Sequence, residues 1–141
     1  MSIYPDSSFL VSAYVIDLHS PIVHKRMTLA PRVLITEFHR AELANAIFQQ
    51  VFRGRLSLAD AQLAYANFEQ DSANGVWVLS SQPEGSFDTC TRIARRHAAT
   101  LGVRTLDSLH VAAALELGAT RFWTFDQRQA RLAEAEGLIT S

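Results

Sequence analysis

The sequence contains a single cysteine, Cys90, and a single lysine, Lys25. One cysteine excludes an internal disulfide and a zinc site built from several cysteines. No apolar stretch approaches the roughly 18 residues that a membrane-spanning helix needs. The N-terminus also lacks the basic segment that begins a signal peptide. We therefore expect a cytoplasmic protein with no membrane segment.

A large excess of charge of one sign is also missing, since the formal net charge is −1. The chain as a whole therefore has no field that would attract nucleic acid. Nearly all of the positive charge is arginine, which contacts phosphate in planar, bidentate geometry. Arg92, Arg95 and Arg96 lie close together in sequence. They would form either a local RNA-binding patch or a solvated helix face, and the sequence leaves both open.

What the chain does have is enough apolar material for a core. Its 141 residues are 48% hydrophobic and 19% charged, a composition typical of globular proteins and not of disordered ones. No internal repeat, low-complexity tract or linker divides it. We expect residues 1–141 to form one domain.

Strand-like and helix-like segments alternate along the chain. Strands are predicted at 2–4, 32–35, 76–79 and 121–124. Helices are predicted at about 7–18, 21–27, 37–52, 58–72, 83–101, 106–117 and 127–136, with Ser7 or Ser8 capping the first. This order predicts a three-layer α/β/α sandwich around a mostly parallel central sheet. In such sheets, ligands bind beyond the carboxyl ends of the strands.

Three aspartates lie where such a site would form. Asp6 follows the first predicted strand and Asp126 follows the last, while Asp107 lies in the first turn of a helix, where the helix dipole favours a carboxylate. Each alone has an ordinary explanation as a turn, cap or surface residue. Gathered in one pocket they would repel, by about 4 kcal/mol for two carboxylates at about 4 Å and an effective dielectric near 20. A divalent cation would relieve that repulsion, and oxygen ligands favour Mg²⁺ or Mn²⁺.

The helix that begins at Glu37 has an unusually wide apolar surface. Leu43 and Ile47 belong to one apolar stripe, and Phe48 and Phe52 form a second beside it. The second stripe would be covered either by the following helix or by a partner.

The polar strip of the same helix contains Glu42, Asn45 and Gln49. The strip would face either water or a polar pocket. Spacing alone does not decide between these, so Glu42 is the least obvious of the acidic candidates.

Four strings resemble, in order, the acidic motifs of PIN domains, and most closely those of the VapC-like toxins of bacterial type II toxin–antitoxin modules. The strings are YPDSSFLVSAY, RAELANAI, LDSLHVAAALELGA and FWTFDQR. The resemblance implies that four acids provide the catalytic and metal-binding positions: Asp6, Glu42, Asp107 and Asp126. It implies that Ser8 and Thr124 support them. Glu37 is the other candidate for the second position, but it lies about 140° away around the helix and does not begin the matching string.

The resemblance also implies an activity and partners. It implies Mg²⁺-dependent endoribonuclease activity, with Mn²⁺ as a substitute, a small antitoxin protein as partner, and a homodimer. A catalytically inactive PIN-like module that binds RNA or protein is the main alternative. A phosphatase of the D-x-D type is disfavoured because Asp6-Ser7-Ser8 lacks the second acid, and a Rossmann-type binder because no G-x-G-x-x-G is present.

Three further residues receive structural predictions. His110, three residues after Asp107, is predicted to pack or hydrogen-bond beside the site, with a metal-ligand role as the alternative. Trp77 and Trp123 lie in predicted strands and are expected in the core.

Overall fold

The computed structural model describes residues 1–140. Four short strands form the centre of the fold: β1 (Ile3–Pro5), β2 (Leu34–Ile35), β3 (Val78–Leu79) and β4 (Arg121–Trp123). β1 pairs with β4 and β2 pairs with β3, both in parallel. A parallel bridge between Ile3 and Val33 joins the two pairs. The strand order is therefore β3-β2-β1-β4, and the carboxyl ends of the strands lie at one edge.

Seven helices surround these strands within residues 1–140. They are α1 (Ser7–Tyr14), α2 (Ser20–Met27), α3 (Glu37–Phe52), α4 (Leu58–Ala73), α5 (Ser86–Leu101), α6 (Thr105–Glu116) and α7 (Gln127–Ala135). Successive strand residues point to opposite faces. Ile3 and Trp123 pack with α1 to α4, whereas Tyr4 and Phe122 pack with the core formed by α5 to α7. The predicted three-layer sandwich with a parallel sheet is confirmed.

The first helix is shorter than predicted, because it ends at Tyr14 and not near residue 18. The next residues form a turn built by side chains. The Ser20 hydroxyl accepts from the Asp17 backbone N–H at 2.9 Å and donates to the Ser12 carbonyl at 2.7 Å, while the Asp17 carboxylate accepts from the His19 N–H. Such local bonds compete with continuation of a helix.

The fifth helix begins at Ser86 and not at Pro83. The Ser86 N–H donates to the Pro83 carbonyl at 3.1 Å, so the intervening residues form a turn before the helix starts. The prediction began the helix at Pro83 because proline is common in the first turn of a helix, but here Pro83 begins a separate turn.

The second apolar stripe of α3 is exposed. Phe52 is 92% and Phe48 37% accessible, whereas Leu43 and Ile47 are fully buried. The following helix does not cover this stripe, because its Leu63 is itself exposed.

None of the helices within residues 1–140 has both the length and the hydrophobicity of a membrane-spanning segment.

Candidate active site

Asp6 lies at the carboxyl edge of the sheet. Its N–H donates to the Trp123 carbonyl at 2.8 Å, which continues the β1–β4 ladder by one residue. Its Oδ1 accepts from the Phe9 N–H at 3.0 Å, so Asp6 is the N-cap of α1. The prediction that Ser7 or Ser8 caps this helix was wrong. An aspartate accepts the N3 amide as well as serine does and adds a charge that the helix dipole favours.

The Asp6 carboxylate is buried among neutral donors. It is 5% exposed, and it accepts hydrogen bonds from the Ser8 and Thr124 hydroxyls, each at 2.6 Å. Among residues 1–140, no arginine or lysine forms an ion pair with it. Burial raises the pKa of Asp6 above its ordinary value, although these hydrogen bonds oppose the shift. The carboxylate therefore lacks the positive partner that a buried charge usually has.

Asp107 and Asp126 lie in the first turn and at the start of two helices. Asp107 is the third residue of α6 and is half-buried. Asp126 is the N-cap of α7 and accepts from the Arg128 and Gln129 N–H groups at 2.8 and 3.1 Å. Burial raises the pKa of the Asp107 carboxyl, and the negative charge of Asp126 raises it further. The Asp126 carboxylate is therefore close enough to oppose ionisation of Asp107.

Glu42 is held by two donors from other elements. It accepts from the Ser7 hydroxyl at 2.5 Å and from Nε2 of His110. Burial alone would raise the pKa of Glu42, but the hydrogen bonds from His110 and Ser7 lower it overall. Glu42 is therefore the acid of the group whose ionised form is already stabilised by hydrogen bonds within the chain.

His110 connects Glu42 to the core. Its ring is 2% exposed, stacks on Phe38 with centroids 4.4 Å apart, and bonds to the Tyr4 hydroxyl through Nδ1 at 2.8 Å. Burial holds the pKa of Tyr4 well above its usual range, so the phenol stays protonated and its O–H donates a hydrogen bond to Nδ1. Nε2 is then the protonated nitrogen that donates to Glu42. The prediction that His110 is a hydrogen-bonding residue beside the site is confirmed.

The four predicted acids line a single cavity of about 230 Å³. Its walls are formed by Asp6, Ser7, Ser8, Glu42, Asp107, His110, Asp126 and Gln129. Glu37 lies elsewhere, with its carboxylate accepting from the Gln82 N–H at 3.0 Å. We call this space the acid cavity.

Sequence reasoning missed Ser7, Tyr4 and Gln129. Gln129 is 2% exposed, and its amide donates to the Asp107 carbonyl at 3.3 Å, which fixes α7 against α6. In the sequence it resembles any polar residue on a helix surface. Its position three residues after Asp126, where the N-cap accepts from its N–H, is the one signal that could have revealed it.

The donor chemistry of the acid cavity fits a hard divalent cation, since four carboxylates and no soft ligand line it. A divalent cation would also supply the positive partner that the buried Asp6 carboxylate lacks. The side chains are not yet gathered around one point, however. Among residues 1–140, no three acidic, histidine or cysteine side chains converge closely enough to ligate one ion. Binding of one ion by several of these acids therefore requires some of the carboxylates to move closer together.

Two further cavities adjoin the acid cavity. One, of about 350 Å³, shares Ser7, Ser8 and Glu42 with it and is lined also by Asn45 and Gln49. The polar strip of α3 thus faces a pocket. The other, of about 270 Å³, shares Asp107 and Asp126 and is lined also by Arg104, Gln127, Arg128 and Arg131. We call this second space the arginine cavity.

The arginines singled out in the sequence lie on α5. Arg92 and Arg96 form ion pairs with Glu136 at 2.9 and 3.1 Å, and His97 approaches the same carboxylate at 3.0 Å. The Glu136 charge thus neutralises part of this group. The arrangement favours a solvated, ion-paired helix face over an RNA-binding patch.

The chain matches a known family over nearly its whole length. The family model of the PIN domain matches residues 3–135. The chain belongs to the PIN-domain family. This match agrees with the order of the acidic motifs and with the parallel sheet. A comparison with curated proteins finds no match.

Several solved structures have a similar fold. FitAcB from Neisseria gonorrhoeae superposes with a TM-score of 0.72 at 17% identity, covering 99% of this chain and 96% of that one. VapBC2 from Rickettsia felis, bound to a DNA fragment from its promoter, gives 0.71 at 15% identity, with 100% and 98% covered. VapC20 from Mycobacterium tuberculosis, described as a sarcin–ricin loop cleaving toxin, gives 0.70 at 16% identity, with 99% and 98% covered. At these identities the similarity establishes the fold.

Proposed function

We propose that this PIN-domain protein is a Mg²⁺-dependent endoribonuclease, and that it is the toxin of a type II toxin–antitoxin system. The observation that best supports the proposal is the acid cavity. Four acids from separate parts of the chain, Asp6, Glu42, Asp107 and Asp126, line one cavity of about 230 Å³. RNA as the substrate class is supported by the fold similarity to VapC20, which is described as cleaving the sarcin–ricin loop.

Asp6, Asp107, Asp126 and Glu42 would hold Mg²⁺, or Mn²⁺ as a substitute. Bound there, the ion would supply Lewis-acid chemistry: activation of a water molecule and neutralisation of charge developing on the phosphate. The lowered pKa of Glu42 makes it a weak proton acceptor and suits it to holding a cation. The Ser8 and Thr124 hydroxyls keep the Asp6 carboxylate at the cavity wall.

The attacking oxygen comes from water in this proposal, so the chain forms no covalent intermediate. The Ser7 hydroxyl is committed as a donor to Glu42 at 2.5 Å and is not needed as a nucleophile. Attack in line with the leaving 3′ oxygen would give a 5′-phosphate product, as the family resemblance implies.

The experiment is cleavage of a panel of structured RNAs by the purified chain, with Mg²⁺ and with chelator. Asp107→Asn and Asp6→Asn should abolish cleavage while the circular dichroism spectrum is retained. Asp60→Asn is a matched control, because Asp60 is exposed and occupies the same third position of α4 that Asp107 occupies in α6. Cleavage that persists in chelator, or in Asp6→Asn, would contradict the proposal.

An inactive module that binds RNA or protein is the second candidate. It is favoured by one observation: within residues 1–140 the carboxylates are not gathered around a single ion position. Binding of panel RNAs without Mg²⁺-dependent cleavage would support this candidate instead.

A small antitoxin protein and a second copy of the chain are the proposed partners, in the cytoplasm. The exposed Phe48 and Phe52 support a protein partner, because large apolar side chains grouped on one helix face commonly mark an interface. Light scattering of the purified chain, alone and mixed with the protein encoded beside it, would measure both associations.

A further inference from the structure

The arginine cavity lies directly beside the acid cavity, and the two share Asp107 and Asp126. Arg104 precedes the first residue of α6, and Arg128 and Arg131 are the second and fifth residues of α7. The beginnings of α6 and α7 therefore bring three guanidinium groups to the rim of a strongly acidic site.

None of these guanidinium groups forms an ion pair within residues 1–140. Arg128 donates to the Gly102 carbonyl at 3.4 Å, and Arg131 donates to the Gln127 carbonyl at 3.3 Å. These are single backbone contacts, which leave most of each five-donor guanidinium able to bind a ligand. Arg92 and Arg96 differ, because both are paired with Glu136.

The arginine cavity carries a local excess of positive charge. It has three cations against two carboxylates, and those carboxylates also belong to the acid cavity. In a chain whose formal net charge is −1, this local excess of positive charge is not a property of the whole surface. Once a divalent ion neutralises Asp107 and Asp126, the cavity is a site for an anion.

We propose that Arg104, Arg128 and Arg131 bind the RNA phosphate next to the one that is cleaved. This inference rests on the proposed ribonuclease function. A strand whose scissile phosphate lies in the acid cavity has a neighbouring phosphate on each side, and the arginine cavity adjoins the acid cavity on one side. Guanidinium groups bind phosphate in bidentate geometry, which positions the strand without reading its sequence.

The first test measures binding and its salt dependence in the otherwise wild-type chain with Mg²⁺ present, using a short fluorescein-labelled oligouridylate and recording binding before appreciable cleavage. Arg104→Ala, Arg128→Ala and Arg131→Ala should each raise the Kd roughly tenfold. Replacing all three arginines with alanine should reduce the slope of log K against log salt by about 0.7, the value expected when the protein neutralises one phosphate fewer on a single strand. The lysine variants should keep the slope and recover only part of the affinity, because lysine keeps the charge without the planar fork.

Arg95→Ala is the matched control, since Arg95 is exposed on α5 and forms no ion pair among the described residues. All three cavity arginines are exposed as well, so their variants should keep the melting temperature of the parent. Cavity variants that bind like Arg95→Ala would overturn the inference. So would normal RNA binding combined with lost antitoxin binding, which would assign the cavity to an acidic protein segment.

The second test locates the phosphate that the arginines bind. In an RNA that the wild-type chain cleaves, a neutral methylphosphonate replaces the phosphate on one side of the scissile bond or on the other. One of the two replacements should raise KM by roughly tenfold in the wild type and have little effect in Arg104→Ala, while kcat changes less. Equal sensitivity of both proteins to both replacements would overturn the inference while the ribonuclease proposal stands. Failure to bind or cleave any RNA would overturn both.

Discussion

The Glu42 carboxylate accepts a hydrogen bond from Nε2 of the buried His110, which joins α3 to α6 across the end of the sheet. The bond fixes the one acid of the cavity whose helix does not begin beside it. Glu42 lies in the second turn of α3, whereas Asp6 and Asp126 cap their helices.

We expect His110→Ala to weaken Mn²⁺ binding at least tenfold and to lower the free energy of unfolding by about 2–4 kcal/mol, because a buried ring and its hydrogen bonds are lost. His110→Gln should recover much of the Mn²⁺ affinity, since its amide retains a donor for Glu42. Calorimetry measures the binding and urea unfolding the stability.

The control is His97→Ala, which removes a half-buried histidine of α5 that contacts Glu136 and does not line the acid cavity. It should lower stability without changing Mn²⁺ affinity. If both alanine variants reduce the affinity equally, the His110 effect is on folding alone and the positioning role is wrong.

The buried Asp6 makes the stability of the metal-free protein depend on pH. Its pKa is raised in the folded state, mainly by burial. The folded state therefore favours the protonated carboxyl, and this contribution to stability is lost as pH rises through the folded pKa. Asp6→Asn, which keeps a good N-cap, should melt at a higher temperature than the wild type at pH 7 in chelator.

That advantage should shrink as the pH falls towards the ordinary carboxyl pKa of about 4, because the wild-type acid is then protonated too. Adding Mg²⁺ at pH 7 should raise the melting temperature of the wild type and not of Asp6→Asn. A constant difference between the two proteins from pH 4 to 7 would show that Asp6 burial does not limit stability.

The exposed stripe on α3 gives a prediction about association. Phe52→Ser should change the free energy of unfolding by less than about 0.5 kcal/mol, because the side chain is 92% exposed. It should weaken association with a second copy or with an antitoxin, measured by light scattering. Phe87→Ser, at a 67% exposed position on α5 in the opposite helical layer, is the control and should associate normally. Equal behaviour of the two variants would remove the α3 stripe from the interface.

Much of this arrangement was predictable because local chemistry and global fold agree. Alternating apolar segments specified the parallel sheet, and the carboxyl ends of β1 and β4 brought Asp6 and Asp126 to one edge. The N-cap of α4 was also predictable from local sequence, because serine before a helix commonly accepts from the backbone, and the Ser57 hydroxyl accepts from the Asp60 N–H at 3.0 Å. The resemblance of the motifs added Glu42, which spacing alone could not distinguish from a surface residue.

The rest depends on contacts between residues distant in sequence. His110 and Glu42 are 68 positions apart, and Thr124 and Asp6 are 118 apart, so no helical or strand period could pair them. The same limit explains why the sequence pointed to arginines other than those that lie beside the acids. Clustering in sequence pointed to Arg92, Arg95 and Arg96, whereas the fold brings Arg104 together with Arg128 and Arg131 beside the acids.

The most direct measurement is titration of the metal-free chain with Mn²⁺, with binding monitored by calorimetry or electron paramagnetic resonance. The wild type and the Asp60→Asn control should bind alike, whereas each of Asp6→Asn, Asp107→Asn, Asp126→Asn and Glu42→Gln should lose at least tenfold in affinity. Absence of binding to the wild type, or unchanged binding by the four variants, would contradict a shared cation site.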